Sequence, residues 1–395
     1  MDNWTLPLLA LSGMLAACAP LYFVWRSADP DKYRKLAWIA VFVTFDLIVF
    51  GAFTRLTDSG LGCPDWPGCY GQANPFLAHE QISAAQALMP TGPVTLPKAW
   101  IEMIHRFLAS AIGLLCMLLM AWGWLRARIG ARLRARGGML GDARGALARR
   151  ASPWLPTATF VLVCVQGAFG AWTVTLKLQP VIVTTHLVLG MLLLVVLTWL
   201  GCRTDAAATP VAANGADLAP AGVRLLAALA AVVLAMQVAL GGWVSTNYAT
   251  LACTDFPLCQ GLLVPEMDFG HGFTLWRALG KTAAGHYLPF AALTAIHWVH
   301  RHFALVVVIV LGLAAWRAWP HARLRPLARA LVAVLAVQAC SGIATVYLSF
   351  PLAIAVLHNA GAAALVLLVT MLNYRAAHLS AAAQRAPAQT SKQPS

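Results

Sequence analysis

Long apolar segments recur along the whole chain and define its organisation. Nine of them approach 20 residues, the length of an α-helix that crosses the hydrocarbon core of a bilayer. Hydrophobic residues make up 60% of the 395-residue chain, and charged residues make up 11%. We therefore predict an all-α integral membrane protein without a separate soluble domain. The predicted spans are 5–25, 36–56, 101–125, 155–176, 181–202, 222–244, 290–316, 327–348 and 352–374.

Positive charge is concentrated in the connections on one side of these spans. The net charge is +14, and the connection 126–150 alone holds eight arginines against one acidic residue, Asp142. Because cytoplasmic loops of membrane proteins are enriched in Arg and Lys, this side is predicted to be cytoplasmic. The charge therefore records membrane topology and argues against nucleic acid as a partner.

The first span is expected to be retained, with the N-terminus outside. Cys18 follows an apolar run, as in a lipoprotein signal, but residues 1–7 contain no Lys or Arg, whereas Arg26 and Lys32 follow the run. Nine spans then leave the segment 376–395 in the cytoplasm, where its Ala, Gln, Pro and Ser content predicts disorder. With no evident organellar presequence, we expect a bacterial inner membrane and a periplasmic N-terminus.

The eight spans after the first divide into two sets of four with the same order of features. Each set contains a span, a loop with two cysteines, a span with His-Arg, a span with Gln and Gly, and a span with His. Sets of four spans share one orientation, which predicts a parallel repeat of two pseudo-symmetric four-helix bundles. The predicted units are an extra N-terminal helix (1–30), the N-terminal bundle (31–205), a linker (206–220), the C-terminal bundle (221–375) and the tail (376–395).

Four histidines occupy equivalent positions in this repeat. His105 and His300 each precede an arginine, and His186 and His358 lie near the start of the last span of each set. A histidine within a span is costly and is usually functional. One imidazole from each of two helices is the ligand set of a bis-histidine heme, whereas zinc or copper would require a third ligand. The pattern predicts one heme iron site in each bundle.

The depth of the four imidazoles follows from the span boundaries. His105 lies about four residues and His186 about five residues inside the predicted outer interface, which is less than about 10 Å of helix. His300 lies deeper if its span begins at residue 290, as predicted. Because His300 matches His105 in the repeat, we expect that this predicted start is too early. We therefore expect all four imidazoles at a similar shallow depth.

Arginine follows the proposed ligand in each bundle, near the outer interface. The guanidinium groups of Arg106 and Arg301 are candidates for pairing with heme propionates. The alternative is that each arginine extends to the interface without a specific partner.

One carboxylate distinguishes the two bundles. Glu102 precedes His105 by three positions, so both side chains lie on one face of the helix. The equivalent residue in the C-terminal bundle is His297, which is also an alternative ligand to His300. A carboxylate beside a heme could move protons or stabilise positive charge, and the alternative is a hydrated residue at the helix start. The difference predicts that chemistry takes place in the N-terminal bundle.

Each outer loop contains two cysteines six positions apart, Cys63 with Cys69 and Cys253 with Cys259. An oxidising exterior favours a disulfide in each loop, which would close a lid over the site below. A redox-active pair and a metal site shared by the two loops are the alternatives.

In combination, the Glu-x-x-His-Arg segment at 102–106, the His-Arg pair at 300–301, His186, His358 and the cysteine loops resemble the heme A synthase family. The resemblance covers residues 36–375 and implies two four-helix bundles, one with a resident heme b and one with the substrate heme O. The family oxidises the C8 methyl of heme O to a formyl group through an alcohol, giving heme A for terminal oxidases. The extra first span departs from the family pattern.

The resemblance assigns a role to each candidate residue. His105 and His186 would flank the substrate, with Glu102 as the catalytic residue, and His300 and His358 would ligate heme b. Heme O synthase, an electron carrier and a second copy of the chain are candidate partners. Two rival functions use the same histidines. A diheme cytochrome b of the quinol oxidoreductase type would leave Glu102 unexplained, and a heme transporter would need an open ligand position and a path across the membrane.

Overall fold

The computed structural model describes residues 5–135, 152–208 and 221–385. Within these ranges the chain is all-helical, and nine of the helices are long and apolar enough to cross a membrane, as the sequence predicts. Two short helices, α3 and α8, lie in the long outer connections. The helices are α1 (Thr5–Arg26), α2 (Lys32–Leu56), α3 (His79–Leu88), α4 (Leu96–Ala135), α5 (Trp154–Thr175), α6 (Pro180–Ala208), α7 (Ala221–Thr246), α8 (Phe269–Gly272), α9 (Phe290–Ala318), α10 (Arg325–Tyr347) and α11 (Leu352–Arg385).

The long helices pack as two groups of four. In the first group, α2 and α5 each contact α4 and α6. In the second group, α7 and α10 each contact α9 and α11. The groups meet through α6, α7, α2 and α11, where buried leucine, alanine and valine side chains form one continuous apolar core. A symmetry axis relating the two groups stays a prediction.

The extra helix α1 packs on the outside of the first group, against α4 and α2. Gly13 permits the close approach, because a Cβ at this position would lie 2.7 Å from the Cβ of Ser110 on α4. At the outer end of α1, the Thr5 hydroxyl donates a hydrogen bond of 2.9 Å to the Gly71 carbonyl. The helix therefore packs against α4 and is hydrogen-bonded to the first cysteine loop.

Residues at the outer ends of α2 and α7 join the two groups. Arg55 donates from Nη2 to the Ser245 carbonyl at 2.6 Å and lies 4.1 Å from the centre of the Tyr248 ring. The Tyr248 hydroxyl in turn donates to Asp58 at 2.5 Å. Asp58 and Tyr248 both adopt left-handed backbone conformations, with φ of 53° and 55°, so the two chain segments turn in the same way where they meet.

Three sequence-based boundaries were wrong. Helix α4 begins at Leu96, five residues before the predicted span, whereas α9 begins at Phe290 as predicted. His105 and His300 therefore lie nine and ten residues into their helices, so the early boundary was the correct one. Helix α11 continues to Arg385, so residues 376–385 of the predicted disordered tail are helical. Helix α6 likewise extends into the predicted linker, and residues 209–220 and 386–395 lie outside the described ranges.

Candidate functional site

Each of the four histidines packs against a glycine of a neighbouring helix. In every case the nearest ring atom is Cε1, and a Cβ on the glycine would lie closer to it than in an ordinary van der Waals contact. Glycine at these positions allows the imidazole to lie directly on the neighbouring backbone. The Cβ-to-Cε1 distances would be 2.9 Å for Gly51 and His105, 3.2 Å for Gly170 and His186, 3.0 Å for Gly241 and His300, and 3.0 Å for Gly342 and His358.

The histidines form two pairs, one in each group of helices. His105 lies close enough to His186 for the two rings to interact electrostatically, and the same holds for His300 and His358. In three of the rings, those of His105, His186 and His300, the Nδ1 atom is buried and has no hydrogen-bond partner among the described residues. Buried ring nitrogens without partners are costly. Each group of helices therefore contains one histidine pair, and heme ligation by the pair stays a prediction.

His358 differs from the other three because both of its ring nitrogens have partners. Its Nδ1 atom lies 3.0 Å from the Ser341 hydroxyl, and its Nε2 atom accepts from the Gln338 amide at 3.2 Å. A metal at either nitrogen would displace one of these contacts. The Ser341 contact fixes the orientation of the ring.

Glutamines connect the histidine helices to their neighbours. Gln166 donates to the His186 carbonyl at 2.9 Å, and Gln237 donates to the His300 carbonyl at 3.2 Å. Both contacts are hydrogen bonds between neighbouring helices, from glutamines that precede a glycine by four residues. The position on α2 that matches Gln237, four residues before Gly51, is Leu47, so this contact is absent around His105.

The two cysteine loops contain one disulfide each, Cys63–Cys69 and Cys253–Cys259, within rather than between the loops. In both loops an aspartate accepts hydrogen bonds from two consecutive backbone amides. Asp65 accepts from the amides of residues 70 and 71, both at 2.6 Å, and Asp255 accepts from residues 260 and 261 at 2.7 and 2.8 Å. The hydrogen bond from the Gly261 amide lowers the pKa of Asp255. The ionised carboxylate accepts the two hydrogen bonds that hold the turn.

Glu102 and His297 make the same contact with their respective loops. The Cys63 amide donates to Oε2 of Glu102 at 2.8 Å, and the Cys253 amide donates to Nδ1 of His297 at 3.3 Å. Glu102 is 4% exposed and His297 is 6% exposed, so both acceptors are buried beneath the loop. A carboxyl group and an imidazole therefore occupy one structural position.

The arginines that follow the proposed ligands also hold the loops. Arg106 forms an ion pair with Glu102 and donates from Nη1 to the Gly68 carbonyl at 2.6 Å. Arg301 donates from Nη2 to the carbonyls of Asp255 and Leu258 at 2.9 and 3.1 Å. Its Nη1 atom is buried and has no partner within the described ranges. This contact with the loop differs from both roles that the sequence indicated for the arginines, which are binding of heme propionates and extension to the membrane interface.

Sequence reasoning missed the four glycines as parts of the site. Three of them follow a glutamine by four residues, at Gly170, Gly241 and Gly342, and this repeated spacing was the available signal. Gly51 has no such glutamine. The loop contacts of Glu102 and His297 had no signal in the sequence, because they depend on how closely each loop approaches its helix.

The fold and these residues define a class: a multi-span membrane protein with two buried histidine pairs beneath disulfide-bonded loops. Residues 34–370 match the family model COX15-CtaA, described as cytochrome oxidase assembly protein. The chain belongs to this family.

Relatives carry a more specific name. A heme A synthase of Shewanella oneidensis is 36% identical over 354 residues, which cover 89% of this chain and 99% of that protein. A heme A synthase of Caulobacter sp. strain K31 is 30% identical, with 87% and 97% covered, and one of Erythrobacter litoralis is 29% identical, with 84% and 93% covered. The resemblance inferred from the histidine, glutamate and cysteine motifs is confirmed.

Proposed function

We propose that this protein is a heme A synthase that oxidises the C8 methyl group of heme O to a formyl group by successive hydroxylations. The observation that carries the proposal is the pair of matched sites that differ at one buried position, Glu102 in one and His297 in the other. The length of the match to the relatives named heme A synthase supports the same reaction.

The residues present fit a heme in each bundle. Each site offers two imidazoles from different helices, seated on glycines and surrounded by apolar side chains. Among the described residues, no cluster of three or more His, Cys, Asp or Glu side chains provides the ligand set of a bare metal ion. A heme bound between two histidines would supply one-electron redox chemistry of its iron.

We assign different roles to the two sites. His300 and His358 hold a resident heme b that passes electrons, and His105 and His186 flank the heme O substrate. The assignment rests on Glu102, because the first pair has a buried carboxyl group beside it, which can carry a negative charge and exchange protons, whereas the second pair has an imidazole at the matching position. His297, which replaces it, makes the loop contact alone.

Within the first site, Glu102 moves protons while methyl oxidation proceeds, and its neighbours keep it in place. Arg106 and the Cys63 amide hold the carboxylate oxygens, which favours the ionised form and fixes the side chain beneath the loop. The loop, closed by its disulfide, limits access of water from the outer side.

The topology of the proposal follows the positive-inside pattern. The N-terminus and the cysteine loops face the periplasm of a bacterial inner membrane, and the arginine-rich connections face the cytoplasm. A heme O synthase in the same membrane delivers the substrate, and an electron carrier exchanges electrons with heme b.

The experiment is to purify the protein from cells that make heme O and to identify its extracted hemes by chromatography. Heme b together with heme O, its alcohol or heme A is the expected composition. Two equivalents of heme b, with no heme O derivative under any loading condition, would contradict the proposal and indicate a diheme cytochrome b.

A further inference from the structure

A buried arginine without an acidic partner lies in the second long outer connection, residues 247–289. Arg277 is only 3% exposed. Its Nη2 atom donates to Oδ1 of Asn247, and its Nη1 atom donates to the Lys281 carbonyl at 3.3 Å. Its Nε atom is buried with no acceptor, and no ion pair between described residues includes Arg277.

A second unpartnered donor lies in the same turn of the chain. The Thr282 hydroxyl is buried and has no hydrogen-bond partner within the part of the chain that the structure describes. Its backbone is fixed, because the Thr282 amide donates to the His286 carbonyl at 2.8 Å. Two buried donors, one of them cationic, therefore lack an acceptor in one short segment, and a buried cation is stable only when it is paired.

The position of Arg277 places it on the outer side of the second histidine pair. Asn247 lies six residues after Gly241, the glycine that contacts His300, which is about 9 Å along the helix axis. The Arg277 guanidinium also lies 5.7 Å from the ring of Trp243, which packs in one cluster with Ile296, one turn before His300. The segment thus covers the outer end of the C-terminal bundle.

The first outer connection has no equivalent. Residues 57–100 contain no arginine, and the single lysine, Lys98, lies 3.9 Å from the Asp58 carboxylate and is thereby compensated. Burial without a counter-ion lowers the pKa of Arg277. An anion bound beside Arg277 would restore the ordinary value.

We propose that Arg277 and Thr282 bind a carboxylate, a propionate of the heme held by His300 and His358. The inference rests on the proposed function, since it requires a heme in the C-terminal bundle. A charge-assisted hydrogen bond of this kind is stronger than a neutral one. It explains in physical terms why one heme stays resident while the other, beneath a loop without a buried free cation, is exchanged as substrate and product.

The test compares the rate at which purified full-length protein loses heme b to excess apomyoglobin. The variants are Arg277→Gln and Arg277→Lys, and the control is Lys281→Gln, which removes a charge from the same loop. Each protein is reconstituted with heme b and, separately, with heme b whose propionates are methyl esters. With ordinary heme, Arg277→Gln is expected to accelerate heme loss by about tenfold to a hundredfold, Arg277→Lys by less, and Lys281→Gln by less than about twofold.

The ester separates propionate binding from a purely structural role. In the wild-type protein, esterification should accelerate heme loss as strongly as Arg277→Gln does, and in Arg277→Gln it should add little. Equal rates of loss for wild type and Arg277→Gln, or full additivity of the ester and the variant, would overturn the inference and leave Arg277 as a contact within the loop. A folded wild-type protein that binds no heme b would instead overturn the proposed function, and the inference with it.

Discussion

The two bundles hold their disulfide loops by the same contacts made with different chemistry. In the N-terminal bundle, the loop amide meets the Glu102 carboxylate and Arg106 pairs with that carboxylate; in the C-terminal bundle, the amide meets the neutral acceptor His297 and Arg301 binds loop carbonyls only. The attachment of the loop to its helix is therefore present in both bundles. Under the proposed function, the carboxyl group of Glu102 serves in proton transfer, and His297 serves to attach its loop.

A second difference concerns unpaired cations. The C-terminal bundle buries Arg277 without an ion pair among the described residues, and Nη1 of Arg301 is buried there without a hydrogen-bond partner, whereas Arg106 in the N-terminal bundle forms an ion pair with Glu102. Unpaired buried cations favour a permanently bound anionic cofactor. Under the proposed function, the first site is for reaction and the second is for retention, and four sets of variants test this difference.

The largest effect is expected from the charge of Glu102. Glu102→Gln keeps an oxygen for the Cys63 amide but removes the charge, so heme A formation should fall by about a hundredfold or more while heme b remains bound. His297→Gln, at the matching position, should change heme A formation only a few-fold. Chromatography of extracted hemes from membranes measures both. Normal heme A formation in Glu102→Gln would remove the catalytic role of the carboxylate.

The histidine-contacting glycines should affect the two hemes separately. Gly170→Ala forces a Cβ against His186 and should weaken binding of heme O by about 1–3 kcal/mol, leaving heme b in place. Gly342→Ala should do the reverse through His358. Gly167→Ala, on the same helix as Gly170, is the control, because a Cβ there contacts nothing within 4 Å. Titration of each purified variant with the two hemes gives the affinities, and equal losses in Gly170→Ala and Gly167→Ala would contradict the assignment.

Removal of either disulfide should destabilise the protein by a similar amount, with different functional results. Replacing both cysteines of one loop by serine is expected to cost about 2 kcal/mol, measured by unfolding of the detergent-solubilised protein. Only the Cys63–Cys69 variant should also lower heme A formation per bound heme b, since its loop holds Glu102. An identical loss in the Cys253–Cys259 variant would show that the loops are not functionally distinct.

The smallest effect is expected from Gln237→Leu, which copies Leu47 of the N-terminal bundle. The Gln237 hydrogen bond to the His300 carbonyl should contribute no more than about 1 kcal/mol, because its Oε1 atom is buried without a partner within the described ranges. Thermal unfolding of the two proteins measures the difference. Loss of heme b from this variant would assign Gln237 a larger role in placing His300.

Much of the fold could be predicted from the sequence, because spans of this length and hydropathy have one stable structure in a bilayer. The predicted start of α4 was too late. Its first turn contains Pro97 and Lys98, and a hydropathy pattern assigns a proline and a lysine before an apolar segment to the preceding loop. The histidine pairs were predictable because the repeat places equivalent residues on helices that meet. The loop contacts of Glu102 and the burial of Arg277 were not, because both depend on the path of long outer connections over the helix ends.

The central claim, that one histidine pair retains heme b and the other holds heme O, is tested most directly by removing the pairs one at a time. The doubly substituted protein His105→Ala with His186→Ala and its counterpart His300→Ala with His358→Ala are purified from cells that supply both hemes, and their hemes are extracted and separated. The first should contain heme b alone, and the second should contain no heme b. Heme b in both proteins, in equal amounts, would contradict the account.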